Sequence, residues 1–128
     1  MKTCPFCEIE KSKIILSNDL TASFYDGFPV SPGHALIIPK RHIVSLFEAT
    51  EEERALLFEL VGGVRALLLK ERMPDGFNVG INDGAAAGQT VMHLHIHLIP
   101  RYTGDMADPR GGVRWIFADK ADYWTARD

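Results

Sequence analysis

Three histidines alternate with apolar residues in the stretch TVMHLHIHLIP, which spans residues 90–100. They are His93, His95 and His97. Successive side chains of a β-strand point to opposite faces, so a strand over residues 91–99 would place the three imidazoles in one row. Neighbouring imidazoles would stand about 6.6 Å apart, close enough for two or three to contact one phosphate-sized group. Because histidine is not a favoured strand residue and is costly to bury without partners, this row predicts chemistry rather than packing.

A loop rich in glycine and alanine leads directly into the histidine stretch. It covers residues 82–90 and reads NDGAAAGQT. Gly88 lets backbone amides approach an anion, and the side chains of Asn82, Gln89 and Thr90 add hydrogen-bond donors. The loop lacks the lysine and the spacing of a nucleotide P-loop, so its position beside three histidines is the informative feature. Loop and strand together predict a pocket for a phosphate group.

The two cysteines form a Cys-x-x-Cys pair near the start of the chain, at Cys4 and Cys7. Two thiolates at this spacing can bind one tetrahedral metal ion, but they supply only half of its ligands. A structural zinc ion, a redox pair and two ordinary buried thiols are therefore all open. The histidines offer a further alternative, a zinc enzyme that uses a His-x-His pair on a strand.

Length and composition predict one soluble domain over residues 1–128. Hydrophobic residues make up 46% of the chain and charged residues 24%, which is ordinary for a globular protein. The net charge of −3 argues against a general nucleic-acid binder, whose phosphate contacts require a basic surface. No stretch resembles a signal segment or a membrane span. We therefore expect a cytoplasmic protein with neither nucleic acid nor membrane as a partner.

One long helix and several short extended runs must position these residues. Residues 50–53, Thr-Glu-Glu-Glu, form a capping-box signature, and apolar residues at spacings of three and four follow until Met73–Gly76 ends the helix. Short links between the extended runs predict an antiparallel sheet in an α+β domain. The chain end is predicted to add a short strand at 111–118 and a terminal turn or helix at 119–124. The five extended runs are residues 13–16, 21–25, 35–38, 77–81 and 91–99.

The stretch GQTVMHLHIHL, residues 88–98, resembles the histidine triad (HIT) family of nucleotide hydrolases and transferases. The resemblance covers nearly the whole chain and implies an antiparallel sheet of about five strands with one long helix and a short C-terminal helix, assembled as a homodimer. The other matching segments are Asp26, Ser31–His34 (SPGH), Ile38–His42 (IPKRH), the long helix and residues 82–101.

The resemblance also implies a role for each matching residue. His95 would be the nucleophile that attacks the α-phosphorus of a nucleotide, forming a covalent nucleotidyl-histidine. His97 would donate to the α-phosphate oxygens, and His34 would orient the strand histidines. Asp26 would hold the ribose hydroxyls, although an aspartate before glycine is also a common turn residue. A neutral imidazole is a competent nucleophile at neutral pH, which agrees with this assignment.

Asn82, Gly88, Gln89 and Thr90 would bind the phosphate or the leaving group. Transferase branches of the superfamily carry glutamine in place of the third histidine, so His97 favours hydrolysis. The substrate would be a small nucleotide, expected to be a purine nucleotide.

The branch within the family is open. Residues 100–105, PRYTGD, look most like the branch that cleaves dinucleoside polyphosphates, whereas Asn82 looks like the phosphoramidase branch. A third alternative is a nucleotide-binding regulatory protein whose hydrolysis is incidental.

Relatives with the same Cys-x-x-Cys complete a zinc site with two histidines. The corresponding ligands here would be Cys4, Cys7, His42 and His93. Four protein ligands close the coordination sphere and leave no position for water, so this zinc would be structural. No catalytic metal and no organic cofactor are expected.

Overall fold

The computed structural model describes residues 4–127, so residues 1–3 and 128 of the predicted 1–128 domain lie outside the described part. Five antiparallel strands form one sheet in the order β1-β2-β3-β5-β4, crossed by one long helix, as the α+β prediction requires. The elements are β1 (Ile14–Ser17), β2 (Thr21–Tyr25), β3 (Ala35–Pro39), α1 (Glu51–Arg72), β4 (Gly76–Gly80), β5 (Ile96–Arg101) and α2 (Trp124–Arg127). Short 3₁₀ turns lie at Lys11–Lys13, Leu46–Glu48 and Ala85–Ala87, and a longer 3₁₀ segment at Gly112–Lys120.

The two faces of the sheet have different covers. Ile37, Ile96 and other alternate residues of β3 and β5 pack under α1, on what we call the helix face. The opposite face, called the site face, carries a second apolar cluster from β2 and β3. Leu36 belongs to that second cluster and pairs directly with His97 in β5. Directly opposed residues of antiparallel strands point to the same side, so His97 also lies on the site face.

Helix α1 starts as the sequence predicts. The Thr50 side chain accepts a hydrogen bond from the Glu53 backbone N–H, and the Glu53 carboxylate accepts one from the Thr50 N–H. Arg41 donates twice to the same buried carboxylate, at 2.7 and 3.1 Å. These hydrogen bonds, that of Arg41 above all, lower the pKa of Glu53 to about 2. The segment that contains His42 is thereby tied to the start of the helix.

The end of the chain differs from the prediction. Residues 111–118 form no strand; most of them belong to the 3₁₀ segment Gly112–Lys120. Gly111 and Gly112 have φ values of 92° and 50°, and this left-handed backbone turns the chain away from an extended path. The Arg114 guanidinium then donates to the carbonyls of Lys120 and Ala121, at the far end of the segment and just beyond it. No helix within residues 4–127 is both long and apolar enough to cross a bilayer.

Candidate active site and metal cluster

The histidine stretch is only partly a strand. Because β5 begins at Ile96, His93 and His95 lie in the irregular segment before it, and the predicted strand over 91–99 is wrong in its first half. The physical reason lies in the neighbouring strand, which ends at Pro39. Proline has no N–H to donate, so the ladder cannot continue beside the first two histidines.

The three imidazoles consequently do not form one row. The His95 and His97 rings lie 5.1 Å apart between centroids, closer than the predicted spacing. The His93 ring instead lies 5.0 Å from the His42 ring, next to the cysteines. The triad is therefore split into a pair of histidines on the site face and a third histidine in a different cluster.

His95 is buried, and one of its ring nitrogens has a backbone partner. Its Nδ1 lies 2.8 Å from the carbonyl oxygen of His93. A carbonyl can only accept, so Nδ1 must carry the proton and donate it. In the neutral ring, Nε2 then holds an unprotonated lone pair, which is the form that a nitrogen nucleophile needs.

His97 has the opposite proton arrangement, set by a chain that starts in the loop before β3. The Val30 backbone N–H donates to His34 Nδ1 at 3.1 Å, so the proton of His34 is on Nε2. This nitrogen lies 2.9 Å from His97 Nδ1, which must accept. The His97 proton is thereby assigned to Nε2, as a donor. Burial, with smaller contributions from His95 and His34, lowers the pKa of His97 to about 4, so the ring is neutral.

Asp26, which lies beside His34, has two separate contacts. Its Oδ1 accepts from the Phe28 backbone N–H at 2.9 Å, which is the turn contact expected for an aspartate before glycine. Its Oδ2 lies 3.5 Å from His34 Nε2. Burial lowers the pKa of His34, and the nearby Asp26 charge opposes that shift. The turn contact and the contact to His34 therefore coexist.

Asp26, His34 and His97 are close enough to hold a metal ion, but the positions of the protons on the histidine rings argue against one. Their potential ligand atoms all lie within 4.8 Å of one another. A ligating imidazole nitrogen must present a lone pair to the metal. The Nδ1 lone pair of His34 already accepts from Val30, and its Nε2 carries the proton shared with His97. This group is better described as a hydrogen-bonded relay.

The loop before the histidines is held together by Gln89. The Gln89 side chain is 4% exposed, accepts from the Gly84 backbone N–H, and donates to the carbonyls of Val44 and Val91. Its acceptor and both donors are used inside the protein in this arrangement, and the expected phosphate contact of Gln89 stays a prediction. Gln89 shapes the loop, while the neighbouring Thr90 is exposed.

One cavity borders His97, and a second borders Phe6, whose ring contacts His95. The larger one, of about 1200 Å³, is bordered by His34, His97, Asn82 and Gly88, together with Arg101 and the Gly112–Lys120 segment. The smaller cleft, of about 420 Å³, lies on the site face near the N-terminal segment. Its lining is mainly apolar with two lysines at the side: Phe6, Cys7, Ile9, Lys11, Ile14, Ser17, Ala22, Ile38 and Lys40.

Phe6 is a site residue that the sequence analysis did not identify. Its ring lies edge-on to His95, with 5.1 Å between centroids, and 5.3 Å from the ring of Phe24 on β2. A signal was present in the sequence, since β3 carries apolar residues on both faces and β2 carries Ala22 and Phe24 on the site face, which therefore needs a cover. The N-terminal residues Phe6 and Ile9 provide it.

The two cysteines and two histidines form the second cluster. Cys4, Cys7, His42 and His93 have potential ligand atoms that all lie within 4.8 Å of one another. The two Sγ atoms are 3.4 and 3.5 Å from His93 Nδ1, and Cys7 Sγ is 3.2 Å from His42 Nδ1. A tetrahedral zinc ion at its usual bond lengths would separate sulfur and nitrogen ligands by about 3.6 Å. The residues present fit such an ion.

His93 also has the proton arrangement of a metal ligand. Its Nε2 donates to the Pro39 carbonyl at 2.8 Å, so its Nδ1 lone pair faces the thiols. Burial lowers its pKa, which keeps the ring neutral. Ligating histidines usually donate their second N–H to a carbonyl or a carboxylate in this way.

A histidine pair beside a closed Cys/His cluster, on a five-stranded antiparallel sheet, defines the class of protein. The HIT domain family matches residues 8–104, and the chain belongs to this family. An uncharacterized HIT-like protein of Mycoplasma genitalium is 40% identical over 78% of this chain and 74% of its own length. The asymmetrical bis(5′-nucleosyl)-tetraphosphatase of Schizosaccharomyces pombe is 38% identical over 76% of this chain, which corresponds to 53% of that protein.

Solved structures of relatives have the same fold. The crystal structure of a HIT family member from Bacillus subtilis matches with a TM-score of 0.74 and 36% identity, covering 80% of this chain and 76% of that one. A zinc-bound histidine triad family protein from Mycobacterium smegmatis matches with a TM-score of 0.68 and 34% identity, covering 74% and 69%. The predicted sheet, long helix and short C-terminal helix are thereby confirmed.

Proposed function

We propose that this protein is a nucleotide hydrolase that attacks the α-phosphorus of its substrate through His95. The observation that carries the proposal is the opposite proton arrangement of two neighbouring rings. His95 presents an unprotonated Nε2, and His97, 5.1 Å away, presents a protonated one. A nucleophile beside a donor for the developing oxyanion is what displacement at phosphorus requires.

The reaction has two displacements. The His95 Nε2 lone pair forms a bond to the α-phosphorus, and the bond from phosphorus to the leaving group breaks with its electron pair going to that group. His97 Nε2–H donates to the phosphate oxygens as their charge rises. Water then attacks the same phosphorus, the N–P bond breaks, and the nitrogen recovers its lone pair. The proton of the water is released to the product or the solvent.

The positions of the two cavities suggest how the substrate is oriented in the site. The apolar cleft beside Phe6 suits a purine base. Asp26 Oδ2, next to His34, would accept from the ribose hydroxyls on the histidine side of Phe6. The larger cavity on the His97 side suits the leaving group, where Asn82 and Gly88 would contribute contacts, with Thr90 at the exposed end of the loop. Gln89 would act indirectly, by holding the loop.

The leaving group we favour is a nucleoside polyphosphate, so that the substrate is a dinucleoside polyphosphate. The tetraphosphatase relative from Schizosaccharomyces pombe supports this choice. A cavity of about 1200 Å³ has room for a second nucleotide. The phosphoramidase alternative rests on Asn82, which borders that same cavity.

The Cys/His cluster would hold a structural zinc ion through Cys4, Cys7, His42 and His93. When bound, zinc would join the N-terminal segment to the sheet, and with four protein ligands it would leave no position for an attacking water. This argues against the zinc-hydrolase alternative. The zinc-bound relative from Mycobacterium smegmatis supports the assignment of this metal.

We further propose the homodimer. Strand β4 is an edge of the sheet and exposes Val79, an arrangement that allows pairing with a second copy. Light scattering on a sizing column would test it, with twice the chain mass expected and the mass of a single chain contradicting it. The cytoplasmic location stays a prediction.

The decisive experiment for the reaction is to trap the intermediate. The protein is mixed with diadenosine tetraphosphate, with free metal chelated, and quenched in alkali, where phosphoramidates survive. Mass spectrometry should find adenylate on the peptide that carries His95. Turnover without any nitrogen-linked nucleotide would contradict the covalent mechanism. Binding without turnover would favour the regulatory protein, and faster cleavage of adenosine monophosphoramidate would favour the phosphoramidase branch.

A further inference from the structure

The segment that carries the two cysteines also carries a wall of the nucleoside cleft. Phe6 lies between Cys4 and Cys7, and its ring packs on His95, His93 and Phe24 with centroid distances of 5.1, 6.1 and 5.3 Å. Cys7 borders the cleft and belongs to the metal cluster as well. One short turn therefore supplies two metal ligands and the aromatic contact to the nucleophile.

This turn is held to the sheet by side chains. Within the described part of the chain, the backbone hydrogen bonds of residues 4–10 run between neighbours, from Cys7 N–H to Cys4 O and from Lys13 N–H to Glu10 O. The contacts that reach the rest of the domain are the thiols beside His93 and His42 and the half-buried side chains of Phe6 and Ile9. A metal ion bound by both thiols would be the strongest of these tethers.

His93 forms a second connection between the cluster and the nucleophile. Its Nδ1 faces the thiols, while its carbonyl oxygen accepts the Nδ1 proton of His95. The cluster therefore reaches the His95 imidazole in two ways, through the Phe6 ring and through the His93 backbone carbonyl.

We propose that the metal at the Cys/His cluster controls nucleotide affinity through Phe6, which acts as a positioning residue for His95 and as a wall of the nucleoside cleft. This inference rests on the proposed function, since it assumes that the cleft receives a nucleoside. Metal loss would free the turn and withdraw Phe6, so that nucleotide binding weakens while the sheet and α1 remain folded.

The test is a double-mutant cycle on adenosine monophosphate binding, measured by calorimetry together with zinc content. Phe6→Ala should keep one zinc per chain and weaken binding about tenfold, the size expected for losing one base–aromatic contact. Cys4→Ser should lose the zinc and weaken binding by a similar factor. The combined variant should lose no more than about a further twofold, because both changes remove the same contact.

Matched variants separate this effect from general damage. Phe6→Tyr should restore affinity, since it keeps the ring. Phe58→Ala removes an exposed phenylalanine from α1, on the helix face, and should leave the affinity unchanged. Circular dichroism should show that each variant is folded at the assay temperature. Unchanged affinity in folded, zinc-free protein, or fully additive losses of about a hundredfold, would overturn the proposal.

A second readout does not need a nucleotide. The imidazole resonances of His95 should shift when zinc is removed from the native protein with a chelator, and Phe6→Ala should shift the same resonances in zinc-loaded protein. If the native protein fails to bind adenosine monophosphate, the proposed function is wrong, and these resonances still decide whether the metal acts on His95 through Phe6. Unmoved resonances on zinc removal would overturn the coupling.

Discussion

His93 and His95 are two residues apart on one backbone segment, yet the structure prepares them for different chemistry. His93 donates its Nε2 proton to the Pro39 carbonyl and turns the Nδ1 lone pair toward two thiols. His95 donates its Nδ1 proton to the His93 carbonyl and keeps the lone pair on Nε2. One backbone oxygen for each ring decides which nitrogen is free, and with it which of the two proposed roles, metal ligand or nucleophile, the ring can take.

The largest expected effect comes from replacing His95, the proposed nucleophile. His95→Gly should lower turnover by on the order of 10⁴- to 10⁶-fold, because a covalent nucleophile acts only in the transition state. Affinity for adenosine monophosphate should stay within a few fold. Steady-state kinetics beside calorimetry would check both, and turnover within tenfold of the native protein would remove His95 from the mechanism.

Removing a ligand of the proposed zinc ion should lower the stability of the fold more than the turnover. A ligand held at about 1000 times its dissociation constant adds about 4 kcal/mol, so losing zinc should lower Tm by on the order of 10 °C. Cys4→Ser should show this loss together with absent zinc, and the turnover at saturating substrate should fall less than tenfold. Calorimetric melting and metal analysis measure the two effects. Adding Cys7→Ser to Cys4→Ser should lower Tm little further. Retention of full zinc by Cys4→Ser would refute the proposed ligand set.

Asp26 gives a smaller and more selective effect. Asp26→Ala should lower the preference for adenosine monophosphate over its 2′-deoxy analogue about tenfold, because the ribose hydroxyls lose a charged acceptor. Asp26→Asn is the matched variant, since its amide oxygen can still accept from the Phe28 N–H. If both variants keep the native preference for adenosine monophosphate over its 2′-deoxy analogue, Asp26 acts only in the turn.

The remaining effect concerns the pH dependence of stability and the neutral state of His97. Burial lowers the pKa of folded His97 to about 4, whereas an unfolded histidine titrates near 6.5. Between these values the unfolded chain binds more protons at this residue, so the contribution of His97 to stability is complete above about pH 6.5 and falls as the pH drops toward 4. His97→Gln should flatten that fall, with urea unfolding at several pH values as the measurement. An equal slope in both proteins would show that His97 does not supply it.

Much of the fold was predictable because local rules and tertiary packing agree. The capping box at Thr50 and Glu53 formed as expected, and four of the five predicted strands lie within one residue of their observed bounds. The prediction over 91–99 was wrong in its first half, since strand formation needs a partner and β3 stops at Pro39. The prediction over 111–118 was wrong because paired glycines turned an apolar run into a 3₁₀ segment.

The sequence by itself determined the family, the long helix and the residue types that do chemistry, because these depend on spacing along one chain. Tertiary structure decided how each residue is used. The split of the triad, the bracing role of Gln89 and the position of Phe6 against His95 all depend on groups far apart in sequence. A side chain's available proton or lone pair is set by the partner opposite it, and that partner exists only once the sheet has assembled.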